Sequence, residues 1–326
     1  MACDPLVRGK RPATLRVRRG LPRRAGRQTP AHQRFQEGLR RRPRAIPSRH
    51  TRPAAPHSGV LRPPAIPAQQ RKPERRVKDL ADHFDREAAS YPTHIGTDYI
   101  QRRKWALVEA HARKRGIVAD VGAATGRHAL ELARQPLTVV AVDPSERMLH
   151  ELARQSRTRD VLGTVHACAA ALPDLPFSKN SFDLIYCYST LLLLAPSAQA
   201  DAIKTMARAL RPQGTLVVDI AGARSLAIRY WHRYYKRRGL GGVYGQTARE
   251  ARLLIEACGL EISHQEPHGV LSQFLLCPGL DRVPGLLRRV RGSETRPGWD
   301  ACISKSLPGL AERWYIVAHL PGQKAD

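Results

Sequence analysis

From residue 73 onward the apolar positions follow two periods in turn. Leu80, Phe84 and Ala88 recur at four-residue spacing within "RVKDLADHFDREAASYP", which predicts a helix closed before Pro92. Ile100, Trp105, Leu107 and Val108 predict a second helix over about 98–114, stopped by Gly116. The period then shortens. "GIVADVG", "LTVVAVD", "GTVHACA", "SFDLIYCYS", "GTLVVDIA", "LEISHQE" and "RWYIVAHL" are apolar, often β-branched runs that read as seven strands. Helices are expected between several of them, over 128–135, 146–155, 198–210 and 247–258. Such alternation implies βαβ units and a parallel sheet covered on both faces, a doubly wound α/β fold. Ligands of that fold sit at the carboxyl ends of the strands. Two segments interrupt the rhythm. Residues 223–245 are aromatic and basic, and 268–311 hold several Pro and Gly. A structureless loop of the second length is unusual, so helical cap pieces are expected there, "GLDRVPGLLRRV" among them.

Composition changes this picture mainly at the amino terminus. The net charge of +27 suggests a polyanionic partner until its distribution is read. Residues 1–72 hold 19 Lys and Arg against two acids, Asp4 and Glu37, and 11 of the 25 prolines. Such a stretch cannot bury enough apolar surface to offset its ordering entropy. It is expected to be a disordered Arg/Pro-rich extension, with the folded domain spanning 73–326. A basic arm for nucleic acid or anionic lipid, a transit peptide and a functionless extension are the readings it allows. The 42% hydrophobic share suffices for a real core, and the longest strongly apolar run, "LLLLA", is far too short to span a bilayer. Cys3, Cys168, Cys187, Cys258, Cys277 and Cys302 are scattered, with no CxxC and no zinc spacing among Cys and His. Free thiols, no metal and a cytoplasmic location are the expectation.

The chemistry concentrates in "ADVGAATGRHALELA", residues 119–133. It reads as a strand end, a small-residue turn and a helix start, where free N–H groups can meet a ligand. A dinucleotide fingerprint would need G-x-G-x-x-G. Here Ala124 takes the middle glycine's place, and Asp120 stands two residues before Gly122, where a dinucleotide-binding strand is usually apolar. Asp120-x-Gly122-x-Ala124-x-Gly126 instead resembles motif I of the class I S-adenosylmethionine-dependent methyltransferases, (D/E)-x-G-x-G-x-G. "DPSERML", "LPFSKNSFDLIYC" with its Phe182–Asp183 pair, and "ALRPQGTLVVD" follow in that family's order, and "FDREAASY" precedes the first strand. The chain is most similar to the methyltransferase type 11 group, which includes quinone-biosynthesis enzymes.

That resemblance implies a seven-stranded Rossmann-like sheet and S-adenosylmethionine as cofactor. It places Asp120, Gly122, Ala123, Ala124 and Gly126 around the methionine end. Asp143 would hold both ribose hydroxyls, with Pro144 and Met148 beside the adenine. Members often carry an acid after the third strand for the adenine amino group; Cys168 stands there, followed by Ala169, and a thiol is a weak acceptor. Methyl transfer is an in-line displacement that needs alignment more than a strong acid. No triad is expected, and no catalytic residue is assigned; His128, His166, His232, His264, His268 and Tyr188 are the side chains that could meet an acceptor. The implied acceptor is a small molecule such as a lipid, quinone, sugar or natural product. An RNA-directed enzyme and a non-catalytic cofactor-binding relative are the alternatives.

Overall fold

The computed structural model describes residues 73–95, 99–113, 115–276, 285–292 and 296–322. The Arg/Pro-rich stretch over 1–72 lies outside the described residues. The chain opens with helices α1 (Pro73–Glu87) and α2 (Tyr99–His111). Strand β1 (Ile117–Val121), helix α3 (Arg127–Leu132), strand β2 (Thr138–Asp143), helix α4 (Glu146–Ser156) and strand β3 (Thr164–Ala169) follow. The next run is β4 (Phe182–Cys187), α5 (Pro196–Ala209), β5 (Leu210–Ala221), α6 (Leu226–Arg237), α7 (Ala248–Glu256) and β6 (Glu261–His268). Short helices α8 (Leu286–Arg291) and α9 (Trp299–Ser306) lead into β7 (Arg313–His319).

Local chemistry explains the boundaries. Ser145 caps α4 by accepting the Met148 N–H, and Ser225 does the same for α6 through Ile228. Thr247 and Glu250 form a reciprocal capping box at α7, and Gly259 ends that helix at φ +78°. Pro196 starts α5, where its missing N–H costs nothing.

The seven strands form one sheet in the order β3-β2-β1-β4-β5-β7-β6. The first five in sequence pair in parallel, but β7 runs antiparallel to both β5 and β6. A wholly parallel sheet is therefore not what forms. Strand β6 ends at the carboxyl edge and β7 begins there, with Arg313 paired to both His268 and Ala221, so β7 runs back. Helix α9 docks at this edge, where Asp300 accepts the Gly269 and Leu271 N–H groups.

Two core layers flank the sheet. Leu107, Val108, Leu132 and Leu152 from α2–α4 pack on Tyr186 and Tyr315. Ile203, Met206 and Ile255 from α5 and α7 pack on Ile185, Leu216 and Ile316 on the other face. A third, small cluster of Leu192, Ala221, Ile228 and Val243 seats α6 over the carboxyl end of β5. Strand order reverses between β1 and β4, and crevices for ligands open at such points.

Candidate active site

The turn after β1 is anchored by its backbone. The N–H groups of Gly122 and Ala123 both donate to the Val142 carbonyl at 2.8 and 2.9 Å. Ala124 N–H donates to the Asp143 carboxylate at 2.9 Å. Gly122, Ala124 and Gly126 all have positive φ, at +80°, +48° and +74°. The two glycines are required by packing as well as by φ, because a Cβ on Gly122 would overlap Thr190 and one on Gly126 would overlap Leu152. Ala124 thus holds the left-handed conformation that a middle glycine would adopt more readily.

Two acids flank this turn. Asp143 ends β2 and is buried; its second oxygen accepts the Ser145 N–H at 2.9 Å. Burial pushes its pKa up to about 6 against the pull of the Ser145 and Ala124 N–H groups. Asp120, in β1, is 4% exposed, and burial pushes it up to about 7. The Tyr186 hydroxyl opposes that rise, the Asp143 charge reinforces it, and the Ala129 N–H in the first turn of α3 opposes it again. Helix α1 closes over this end. Asp85 accepts the Ser145 hydroxyl at 2.5 Å, and Thr125 donates to the Pro92 carbonyl at 2.7 Å.

The carboxyl edge of β4, β5 and β7 is built differently. Lys104 of α2 reaches down to Asp219 of β5 at 3.1 Å and to the Ser189 hydroxyl at 2.8 Å. Arg313 of β7 meets the same Asp219 oxygen at 3.0 Å, and the Ser189 N–H donates to the other at 2.6 Å. Burial lowers Lys104 to about 8 although Asp219 pulls it upward. Burial acts to raise Asp219, yet the Lys104 and Arg313 charges and the Ser189 N–H hold it below its usual value. Tyr188 lies under the Lys104 ammonium, 5.1 Å from ring centre, and donates to the Lys104 carbonyl. Beside it, Arg103 grips Glu266 through two hydrogen bonds.

Residues 118–214 match the methyltransferase domain family. This stretch is similar to the methyltransferase domains of that family. An uncharacterized methyltransferase of Mycobacterium tuberculosis is 34% identical over 134 residues, covering 41% of this chain and 46% of the relative. The ubiquinone/menaquinone biosynthesis C-methyltransferase UbiE of Geotalea daltonii is 27% identical over 152 residues, covering 44% and 63%. The chain thus spans about half to two-thirds of the length of these curated relatives. The geranyl diphosphate C-methyltransferase of Streptomyces coelicolor A3(2), solved with Mg2+, geranyl diphosphate and S-adenosyl-L-homocysteine, shares the fold: TM-score 0.54, 15% identity, 76% of this chain and 99% of that one covered.

Within the methyltransferase domain, the expected cofactor residues do not all converge. Asp120, Gly122, Ala123, Ala124, Gly126 and Asp143 share one edge, with Pro144 and the buried Met148 starting the next helix. Cys168 is paired with Val142 inside β3, half-buried, and packs on the α5-side core. Ala169, opposite Asp143, is the exposed residue at the strand end. The connection over 170–181 contains no helix, which leaves β3 open on that face.

His128 is buried beside Trp105, Tyr186 and Tyr188 with centroids 5.9–6.3 Å away. Burial lowers it to about 3, so it is a neutral packing group rather than a base. His166 is exposed on β3, His264 pairs with Glu266, and His268 faces Asp300 at 3.7 Å. His232 alone of these lies on α6, where it lines a cavity. Among the described residues, no group of three His, Cys, Asp or Glu side chains is placed to hold a metal ion, and no helix is long and apolar enough to cross a membrane. Sequence reasoning missed Lys104, Asp219, Arg313 and Asp85. Two of them carried a signal: Lys104 falls on the apolar face between Ile100 and Val108, and Asp219 interrupts the apolar run "LVVDIA".

Proposed function

We propose that the protein transfers a methyl group from S-adenosylmethionine to a small-molecule acceptor. The observation that carries this is the lone-pair arithmetic at Asp143. Each carboxylate oxygen accepts one backbone N–H, and each retains one acceptor position at the strand end. Two remaining positions on one carboxylate suit the paired hydroxyls of a ribose. The same hydrogen bonds lock the carboxylate's orientation before any ligand arrives. Asp120, buried a few residues away, supplies a negative charge for the amino group of the methionine moiety once ionised. The cofactor, when bound, supplies a methyl activated on a sulfonium.

What the chain adds is position and dryness. The Gly122–Gly126 turn fixes the methionine end against β1. Helix α1 covers the β2 end through Asp85, α2 covers the β4–β5 edge through Lys104, and α6 roofs the acceptor side through Ile228. Alignment and exclusion of water account for much of such a rate acceleration. Lipid, quinone, sugar and natural-product acceptors fit this description equally.

Calorimetric titration with S-adenosylhomocysteine tests the reading. The intact chain is expected to bind it, and Asp143→Ala to lose the binding while keeping its circular dichroism. Undiminished affinity in that variant would remove Asp143 from the cofactor site. No binding by the unaltered chain at millimolar cofactor would sink the enzyme reading.

A further inference from the structure

Helix α6 carries Arg229, Arg233, Lys236 and Arg237 and no acid. Its apolar anchors, Ala227 and Ile228, are buried. Arg229 and Arg233 are exposed and pair with no carboxylate among the described residues. They stand at i and i+4, so their charges face one another on one side of the helix and oppose its formation in the absence of a counter-ion. Beneath them lies a cavity of about 250 Å³, lined by Ala223, Ile228, Arg229, His232, Arg233, Val243 and Gly245.

The walls of this cavity are fixed. The Ser225 hydroxyl and the Leu226 N–H donate to the Gln273 side-chain oxygen at 3.0 and 2.9 Å, tying the start of α6 to the cap segment. His232 Nδ1 donates to the Val243 carbonyl at 2.8 Å, tying its middle to the loop that follows. Arg76 of α1 donates to the Gly242 carbonyl at 2.9 Å and stacks over Tyr244 at 5.3 Å, bracing that loop from outside. Arg238 is engaged over the Tyr234 ring at 3.6 Å, so the free guanidinium groups at the cavity are Arg229 and Arg233. Ala223 lies two residues past β5, which puts the cavity at the acceptor side of the carboxyl edge.

We propose that this cavity is an oxyanion subsite, in which Arg229 and Arg233 hold the phosphate or carboxylate group of the acceptor. Guanidinium forks match both groups through paired charge-assisted hydrogen bonds. Ile228 and Val243 face the carbon stem next to the charge. The volume lies below the roughly 300–1,000 Å³ that encloses a whole drug-sized ligand, so the subsite takes the charged end and leaves the reacting atom nearer β4 and β5. The site stands on its own geometry, while its assignment to the acceptor rests on the methyl-transfer reading above.

Arginine footprinting tests it on the full chain. Phenylglyoxal modification at each arginine is read by mass spectrometry, with inorganic phosphate, pyrophosphate, benzoate or uncharged benzamide present at millimolar concentration. Pyrophosphate is expected to slow modification of Arg229 and Arg233 by about tenfold, with phosphate and benzoate weaker and benzamide inert. Exposed Arg208 and Arg249 serve as internal controls and are expected to stay fully reactive. Equal protection of the controls, or protection by benzamide, overturns the subsite. The double variant R229Q/R233Q is expected to lose pyrophosphate binding while S-adenosylhomocysteine affinity and circular dichroism are unchanged. Protection without any S-adenosylhomocysteine binding would keep the anion site and remove its link to methyl transfer. Cofactor binding without protection would remove the subsite alone.

Discussion

Two halves of one carboxyl edge meet at the switch between β1 and β4, and they are held by opposite means. The β1–β2 half is a backbone device. Its turn hangs on the Val142 carbonyl and the Asp143 carboxylate, all within the 22 residues from Gly122 to Asp143. The β4–β5–β7 half is a side-chain device, with Lys104, Ser189, Asp219 and Arg313 drawn from across the chain. A cofactor shared by many enzymes can be met by conserved local geometry. On the methyl-transfer reading the other half faces the acceptor, and side chains there can change without moving a strand.

The largest expected effect breaks the side-chain half. Asp219→Asn leaves the Lys104 and Arg313 cations buried without a carboxylate. Removing one partner of a buried pair costs about 3–5 kcal/mol, and urea unfolding at pH 7 should show a loss of that order. Adding Lys104→Met should recover part of it, because one of the stranded charges is then gone. A loss under about 1 kcal/mol in the single variant would mean that the network is solvated and does not define this half.

The same contrast decides what was legible in the sequence. The backbone half was readable because its determinants are contiguous: an acid, two glycines and a second acid at fixed spacing. The side-chain half was not, because Lys104 and Asp219 each looked like a lone polar residue in an apolar run. Only the fold brings them together. The aromatic, basic segment 223–245 holds α6, but no periodicity announces the cavity under it. The direction of β7 was equally hidden. A strand's pattern is the same read either way, and its sense follows from where the preceding connection ends. Cys168 shows a finer limit. Whether a strand residue faces the core or the crevice depends on a register that one residue reverses.

A middle-sized effect concerns the backbone half and acid–base linkage. Asp120 has a folded pKa of about 7, against about 3.9 in an unfolded chain. Its protonated form is favoured by folding, so the contribution it makes to stability is complete below pH 4 and is lost as pH rises from about 4 to 7. S-adenosylmethionine affinity should move the opposite way, strengthening by up to about tenfold between pH 6 and 8 as the carboxylate ionises toward the cationic cofactor. Asp120→Asn should flatten both profiles. Calorimetry across that window reads them together, and an affinity profile that survives the substitution would assign the ionisation to another group.

The smallest effect sharpens the comparison at one atom. Ala124 sits at φ +48°, a conformation that costs an L residue about 1–2 kcal/mol. Ala124→Gly removes that strain but loosens the unfolded chain, which offsets about 0.4–1 kcal/mol. A net gain of about 0.5–1 kcal/mol is expected, a rise of roughly 1–4 °C in Tm for a domain of this size. Gly126→Ala, two residues on, should do the reverse, because its new methyl would overlap Leu152 as well as strain φ. If the turn is a backbone device, S-adenosylhomocysteine affinity in Ala124→Gly should stay within about twofold of the parent. The N–H donors and the Val142 carbonyl that shape the turn are all retained, and only a methyl is lost. A large fall in affinity would show that the Ala124 side chain itself contacts the cofactor, and that this half, too, recognises its ligand through side chains.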